Sequence, residues 1–397
     1  MIVGAGQAGG RTALALRRTG YQGDIELIGE ECALPYERPP LSKDFLLGRA
    51  TQESLRLASQ PGWSEQGIEL HLGLRVESID RGSRCVQLRS GGVVTYDVLV
   101  LATGVRPRLF PGTVAADAPV CYLRTLTDVQ ALRALLGPGR RLAIIGAGFI
   151  GLEVAAAARE LETEVTLVES AARPLMRMLP AAVASWLCRV HAGRGVVMTF
   201  GAQVQALDGH GVLLQDGSRI PADGLLVGIG SVPNDDLART SGLEVSDGIV
   251  VDVQGRTSDE AVFAVGDVAR HVDPAAGRNE RLESWRNAED DAAAVARAIC
   301  GLEPAARPVP WFWTDQFGFN IQLAGRPADG MQVVERGRLG DGPYLAHYLD
   351  TGVPRGVIGI DCGREVRMAM ALIGRGQPVE QQDLPSPRIR RASAATA

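Results

Sequence analysis

Apolar and polar positions along this chain run through one set of periods, then run through it again. IVGAGQAGG (2–10) begins apolar, breaks at glycines and continues as a helix-spaced apolar pattern to Arg18, with Gly20 as its stop. DIELIGE (24–30) then reads as a strand, Ser90-Gly91-Gly92 as a hairpin turn, and YDVLVLATG (96–104) as a buried strand. The same parts return as LAIIGAGFIG (142–151), a helix to about Leu161, the strand EVTLVES (164–170), a hairpin at Asp216-Gly217, and ADGLLVGIG (222–230). The opening glycines are offset by 142 residues (4 to 146) and the closing ones by 126 (104 to 230), so the first copy carries 16 more residues. Segment 34–60, which holds PPLSK (39–43), is the natural place for them.

Each copy is strand, Gly-rich turn, helix, strand: a βαβ unit with a parallel sheet. Gly4 and Gly146 allow the tight turn, Gly6 and Gly148 let the backbone approach a pyrophosphate, and Gly9 and Gly151 permit close helix–strand packing. The helix start offers N–H groups and the positive dipole end to phosphate. Glu30 and Glu169, 26 and 23 residues after the first glycine of each motif, stand where an acid accepts from ribose hydroxyls. One such motif is weak. Two in register, each after an apolar strand and before an apolar helix, predict two dinucleotides and electron or hydride traffic between them.

Beyond residue 230 the pattern changes. EAVFAVGDVAR (260–270) reads as a buried strand ending at Gly266-Asp267, and ESWRNAEDDAAAVARAICG (283–301) as a helix capped by Gly301. WFWTDQFGF (311–319) holds five of the chain's nineteen aromatics. Strand-like runs follow near 320–324, 331–336, 344–349 and 356–361, then a helix near 363–373, which together predict an α+β domain. The last twenty or so residues lack periodicity and are expected to be disordered.

Composition narrows the functional classes. A length of 397 residues suggests two to three domains, and 46% hydrophobic with 22% charged residues is that of a globular chain. The net charge of −5 supplies no global basic field for nucleic acid or anionic lipid. No run of 18 apolar residues predicts a membrane span, and MIVGAG enters a strand without a signal-peptide pattern, so a cytoplasmic location is expected. Six cysteines at 32, 85, 121, 188, 300 and 362 form no C-x-x-C, so no metal site is expected and they read as small core hydrophobes. The histidines at 71, 191, 210, 271 and 347 lie in no cofactor motif and read as surface or strand residues. Among 41 basic residues the only lysine is Lys43, inside the extra segment of the first copy.

YERPPLSKDFLLG (36–48), LATGVRPR (101–108), GAGFIGLEVA (146–155), VFAVGDVA (262–269), RLESWRNA (281–288) and PWFWTDQF (310–317) appear in family order. Over about residues 2–375 the chain resembles the NADH-dependent ferredoxin reductases that serve bacterial cytochrome P450 and ring-hydroxylating dioxygenase systems. That resemblance implies FAD at the first motif and NADH at the second. The fold would be α/β: two duplicated Rossmann-like dinucleotide-binding domains plus a C-terminal α+β domain. The implied boundaries are 1–110 and 235–305 for FAD and 111–234 for NAD, while the pattern of the chain itself sets 306–380 for the C-terminal domain and 381–397 for a disordered tail. FAD would be held by Gly4, Gly6, Ala8, Gly9, Glu30, Arg38, Lys43, Val76, Ala102, Thr103, Gly104, Arg124, Gly266, Asp267 and Trp285. NADH would be held by Gly146, Gly148, Phe149, Ile150, Gly151, Glu153, Glu169 and Gly230. Thr314 and Phe317 depart from the Ser and Tyr usual there.

The chemistry assigns roles. Flavin reduction puts negative charge on the ring, and Lys43 is the candidate cation to stabilise it, with Glu153 as its expected partner; both are the catalytic candidates. Asp267, at the C-terminal end of a strand, would accept from a ribityl hydroxyl. Arg38 and Arg124 are candidates for pyrophosphate or flavin oxygens, and Trp285 and Trp313 for packing. Glu169 would favour NADH over NADPH, with Arg173 and Arg177 near enough to soften that choice. The expected activity passes a hydride from NADH to FAD and single electrons to a 2Fe-2S ferredoxin, which would feed a terminal oxygenase. Two alternatives stay open: a pyridine-nucleotide:disulphide reductase or NADH oxidase, though PPLSKDF holds no cysteine, and an apoptosis-inducing-factor-like flavoprotein acting through partners.

Overall fold

The computed structural model describes residues 1–273 and 277–387. The chain forms two compact units. Unit 1 joins Met1–Arg108 to Ser231–Arg307, and unit 2 joins Leu109–Gly230 to the chain from Pro308 onward.

Unit 1 is built on a parallel sheet with strand order Val262–Ala264, Leu99–Leu101, Ile2–Val3, Ile25–Gly29, Ile68–Leu72. The three strands Val262–Ala264, Leu99–Leu101 and Ile2–Val3 are buried and wholly apolar, while the edge strand Ile68–Leu72 carries Glu69 and His71 and buries only Ile68. One face packs Ile2, Leu27 and Val100 against Ala13 and Leu16 of the helix Gln7–Thr19 and Val295 of the helix Trp285–Ile299. Gly20 closes the first helix in the left-handed region, φ 95°, as its position suggests. The second helix starts at the Ser284 cap and ends at Ile299; Cys300 is its cap and Gly301 takes the left-handed turn one residue later, φ 69°. Strands Val76–Asp80, Cys85–Leu88 and Val93–Thr95 form an antiparallel sheet over the other face, with the hairpin at Ser90-Gly91-Gly92 between the last two. Strands Val105–Pro107 and Ser231–Pro233 pair antiparallel where the chain leaves unit 1 and returns to it.

Unit 2 repeats the architecture. Its parallel sheet has the order Val120–Cys121, Gly224–Val227, Arg141–Ile145, Glu164–Glu169, Val196–Phe200. The helix Phe149–Glu160 follows its glycine turn, and the hairpin at Asp216-Gly217 joins Gly211–Leu214 to Arg219–Pro221. The unit also contains an antiparallel sheet ordered Trp311–Gln316, Phe319–Gly325, Val353–Ile360, Asp341–Asp350, Gln332–Arg338. The helix Gly363–Arg375 covers it through Val366 and Ala369, packed with Leu345 and Val357.

Three expectations need revision. Residues 381–387 carry a turn at Gln381–Asp383, and Leu384 is buried with Val334 and Leu349, so one apolar anchor orders a stretch without periodicity; residues 388–397 lie outside the described residues. Of the six cysteines Cys362 alone is fully buried, and Cys32 is exposed on the loop after the second strand. His191 is neither on the surface nor in a strand: it lies on the helix Ala181–Gly193 with 0% exposure, because that helix turns it inward to a polar partner. Among the described residues no helix is long and apolar enough to cross a membrane.

Candidate functional site

In unit 1 the first glycine turn is set by contacts that no side chain could share. A Cβ at Gly4, which has φ 112°, would lie 2.2 Å from the Ala102 carbonyl oxygen, and one at Gly9 would lie 1.9 Å from that of Gly4. A Cβ at Gly6 would meet only the Arg38 guanidinium, at 3.6 Å. Gly6 is also the N-cap of Gln7–Thr19, with no side-chain cap and no acid in the first turn. The outer side of the turn is therefore clear, presents helix N–H donors and has an arginine above it. That donor set fits a diphosphate.

Arg38 is held in place by a triad. Its Nη2 donates to Glu31 Oε1 at 2.7 Å, its Nη1 to the Tyr36 hydroxyl at 3.0 Å, and Tyr36 donates to Glu31 Oε2 at 2.7 Å. Burial alone would lower the guanidinium's pKa. Tyr36, Glu31 and Asp267 around it outweigh burial and raise it, so the cation is secure. Glu30, the acid at the expected ribose position, is largely exposed and pairs with Arg75 at 2.8 Å. Lys43 caps the short turn Pro39–Ser42, half-buried, with Nζ donating to the Pro39 carbonyl at 3.4 Å. Val76 packs into the core with Val3 and Ile28, which leaves its backbone as the group that could face a ligand.

The remaining candidates of unit 1 meet at the ends of the central strands. Ala102, Thr103 and Gly104 follow Leu99–Leu101, and Thr103 exchanges bonds with Asn234: its hydroxyl donates to the Asn234 carbonyl at 2.7 Å, and Asn234 Nδ2 donates to its carbonyl at 2.9 Å. Gly266, φ 72°, lets its turn approach Ala8, whose Cβ would be 2.6 Å from an added one. The turn is anchored by buried Asp291, which accepts from Gly266 N at 2.9 Å, from Asn287 Nδ2 at 3.0 Å, from His271 Nε2 and from Arg307. Asp267 thus projects from a fixed turn within the field of Arg38. Trp285 begins the helix that follows the Ser284 cap.

Unit 2 holds the second turn on the same plan. A Cβ at Gly146, φ 106°, would lie 2.3 Å from the Gly228 carbonyl oxygen, and one at Gly151 would lie 2.2 Å from that of Gly146. One at Gly148 would meet nothing nearer than 4.0 Å. Gly148 caps Phe149–Glu160, again without a side-chain cap. This cradle also fits a dinucleotide phosphate. Glu169 reaches back to it: Oε2 accepts from Ala147 N at 2.7 Å, and Oε1 from Ala171 N at 2.8 Å. Arg173 turns to Asp329, 2.8 Å away, and Arg177 is exposed. Phe149 packs on Phe312, ring centroids 4.3 Å apart, while Ile150 beside it is 44% exposed. Gly230 ends the unit's first segment with φ 105°. Arg124 lies in this unit, its backbone N–H bonded to Asp128. Trp313 stacks on Trp311, centroids 5.1 Å apart.

Glu153 is buried, and Thr314 Oγ1 donates to its Oε1 at 2.6 Å. PWFWTDQF contains Thr314 and Gln316 but gave them no role at Glu153, and the motifs did not reveal His191 behind them, nor the part of Glu31 and Tyr36 around Arg38. The only hint for the last two was their place beside the chosen residues in GEE and YER.

A family model described as pyridine nucleotide-disulphide oxidoreductase matches residues 1–292, and one described as reductase C-terminal matches residues 311–393. The chain is 41% identical over 394 residues to the anthranilate 1,2-dioxygenase system ferredoxin–NAD(+) reductase component of Burkholderia cepacia, covering 98% of this chain and 97% of that protein. It is 39% identical over 359 residues to putidaredoxin reductase of Pseudomonas putida, covering 88% and 85%. Among solved structures, the covalent putidaredoxin reductase–putidaredoxin complex matches with a TM-score of 0.91 at 38% identity, covering 97% of this chain and 95% of that one.

Proposed function

We infer the function from one premise: the chain belongs to the pyridine nucleotide-disulphide oxidoreductase family and, within it, to the ferredoxin–NAD(+) reductases of dioxygenase and P450 systems. Bound FAD would supply the two-electron to one-electron conversion by which this chain links NADH to a 2Fe-2S ferredoxin that feeds such an oxygenase. The observation that carries this reading is the pair of open glycine cradles, each at the uncapped start of a helix.

The residues of unit 1 serve FAD. Gly4 and Gly9 shape the turn, Gly6 leaves it open, and Arg38, braced by Glu31 and Tyr36, neutralises phosphate. Asp267 accepts from a ribityl hydroxyl, and Lys43 supplies positive charge where the reduced ring needs it. The residues of unit 2 serve NADH. Glu169, held by Ala147 and Ala171, accepts from a ribose hydroxyl and repels a phosphate in its place. Arg173, engaged with Asp329, is drawn away from softening that choice. Glu153 would face the nicotinamide. The domain division follows the same line, with FAD held by residues 1–110 and 235–305 and NADH by the copy between them. The cytoplasm, with its pool of NADH, is the place of work.

Disulphide turnover is the weaker reading, since Pro39–Phe45 around Lys43 contains no cysteine. The test is direct. Purified protein incubated with FAD should turn yellow, bleach with NADH in the absence of oxygen, and pass electrons to members of a 2Fe-2S ferredoxin panel. Colourless protein, or bleaching followed by transfer to disulphides and to no ferredoxin, rejects the reading.

A further inference from the structure

Unit 2 contains a buried polar chain that the two cradles do not require. Glu153 on the helix Phe149–Glu160 is 5% exposed, Thr314 and Gln316 on the strand Trp311–Gln316 are 0% and 1%, and His191 on the helix Ala181–Gly193 is 0%. Thr314 Oγ1 lies 2.6 Å from Glu153 Oε1, Gln316 Nε2 lies 2.9 Å from Thr314 Oγ1, and His191 Nε2 lies 2.8 Å from Gln316 Oε1. Four side chains on three elements thus form one line.

The line has a direction. A carboxylate can only accept, so the Thr314 hydroxyl donates to Glu153. The remaining lone pairs of that oxygen then face the Gln316 amide nitrogen. The Gln316 carbonyl is left facing His191, which must present an N–H at Nε2. Burial pushes the His191 imidazole below its ordinary value, so the ring is neutral and carries one proton. Nδ1 therefore holds a lone pair, and among the described residues it has no hydrogen-bond partner. Running the line the other way would need a protonated Glu153, or would set a buried donor against a donor, which is costly where no water can intervene.

We propose that Thr314, Gln316 and His191 are positioning residues for Glu153: a one-way series of hydrogen bonds fixes the orientation of its carboxylate, and the carboxylate in turn sets the tautomer of a histidine two side chains away. The orientation follows from unit 2 alone; its catalytic consequence rests on the reading of Glu153 given above. Thr314 keeps the one group the line needs, a hydroxyl, and the Phe317 ring packs edge-on to His191, centroids 4.9 Å apart.

The experiment pairs nitrogen NMR of histidine-labelled full-length protein with flavin reduction by NADH. In the natural protein His191 should show a protonated Nε2 and an unprotonated Nδ1. Thr314→Val, close in size, removes the link; the two nitrogen signals should move toward each other as the Gln316 amide loses its fixed direction. Thr314→Ser should restore the natural pattern. Flavin reduction should slow about tenfold in Thr314→Val and recover in Thr314→Ser, the scale of one lost bond to a charged group. Glu153→Leu guards against a folding artefact at 314 and should disturb the same pair of signals. A wild-type His191 protonated at Nδ1, or signals unmoved in both Thr314→Val and Glu153→Leu, overturns the proposal. If NADH fails to reduce the flavin of the natural protein, the functional reading falls while the nitrogen signals still decide the line.

Discussion

The two cradles share a backbone and differ in what surrounds it. In both, the first glycine sits against a carbonyl oxygen of a neighbouring strand end, 2.2 Å from an added Cβ in one and 2.3 Å in the other. Over Gly6 stands Arg38, tied by one hydrogen bond to Glu31 and one to Tyr36, which are themselves bonded to each other, whereas an added Cβ on Gly148 would meet nothing within less than 4.0 Å. The acids differ too: Glu30 faces solvent with Arg75, while Glu169 is tied to its own glycine turn. The lesson is a division of labour. A braced cation suits a prosthetic group that stays, and an open turn with a preset carboxylate suits a coenzyme that must be chosen and released.

The sharpest way to break that comparison is to spoil one turn at a time. Gly4→Ala should yield colourless protein, and Gly146→Ala a yellow protein that NADH no longer bleaches. Each forces a Cβ into a backbone oxygen at positive φ, and FAD content with flavin reduction separates the two outcomes. If both variants lose the same ligand, the division is wrong. Next in size is Arg38→Ala, expected to weaken FAD retention by about ten- to a hundredfold, the worth of a charge-assisted contact; Glu31→Gln should show a smaller loss of the same kind. Equal FAD affinity in Arg38→Ala and the natural protein, measured by dialysis, would remove Arg38 from the cradle. Lys43→Ala should keep its flavin yet be reduced about tenfold more slowly, equivalent to ~1.4 kcal/mol, in stopped-flow traces. Glu169→Ala should raise turnover with NADPH relative to NADH severalfold, because the repelling charge is gone; unchanged selectivity would retire its role.

The least visible effect in turnover lies in stability against acid. His191 and His347 in unit 2 are both pushed below their ordinary value of 6.5 by burial. Below that pH the unfolded chain binds protons that the folded unit refuses, so stability falls as pH drops, by up to about 1.4 kcal/mol per pH unit for each histidine. His347→Leu should make the melting temperature of unit 2 less sensitive between pH 6.5 and 5.5, and an unchanged slope would count against it.

The doubled plan is legible in the sequence, because glycine spacing and apolar strands are local signals. Gly20, Gly91 and Gly217 stop or turn the chain where their neighbours suggest, and the parallel sheets follow from the βαβ order. Side-chain aim was not legible. Glu30 and Glu31 are adjacent, yet the strand end sends one to solvent and the other to Arg38. Thr314 meets Glu153 across 161 residues of sequence, and His191 reaches Gln316 across 125; no periodicity encodes such meetings. His191 also shows why composition misleads: a histidine outside every motif can be wholly enclosed when a single amide receives it.

One feature of the fold bears on how such a molecule could be rearranged. Arg106 pairs with Val232, and Pro107 with Ser231, so the chain departs from unit 1 and comes back at neighbouring points of one ribbon. Ends this close, about 5 Å across a strand pair, need only a tight turn to join them. Residues 109–230 could therefore be inserted into, or removed from, unit 1 at a single hairpin without displacing a strand of its parallel sheet. The same geometry marks that spot as a seam where a laboratory could exchange residues 109–230 for another module.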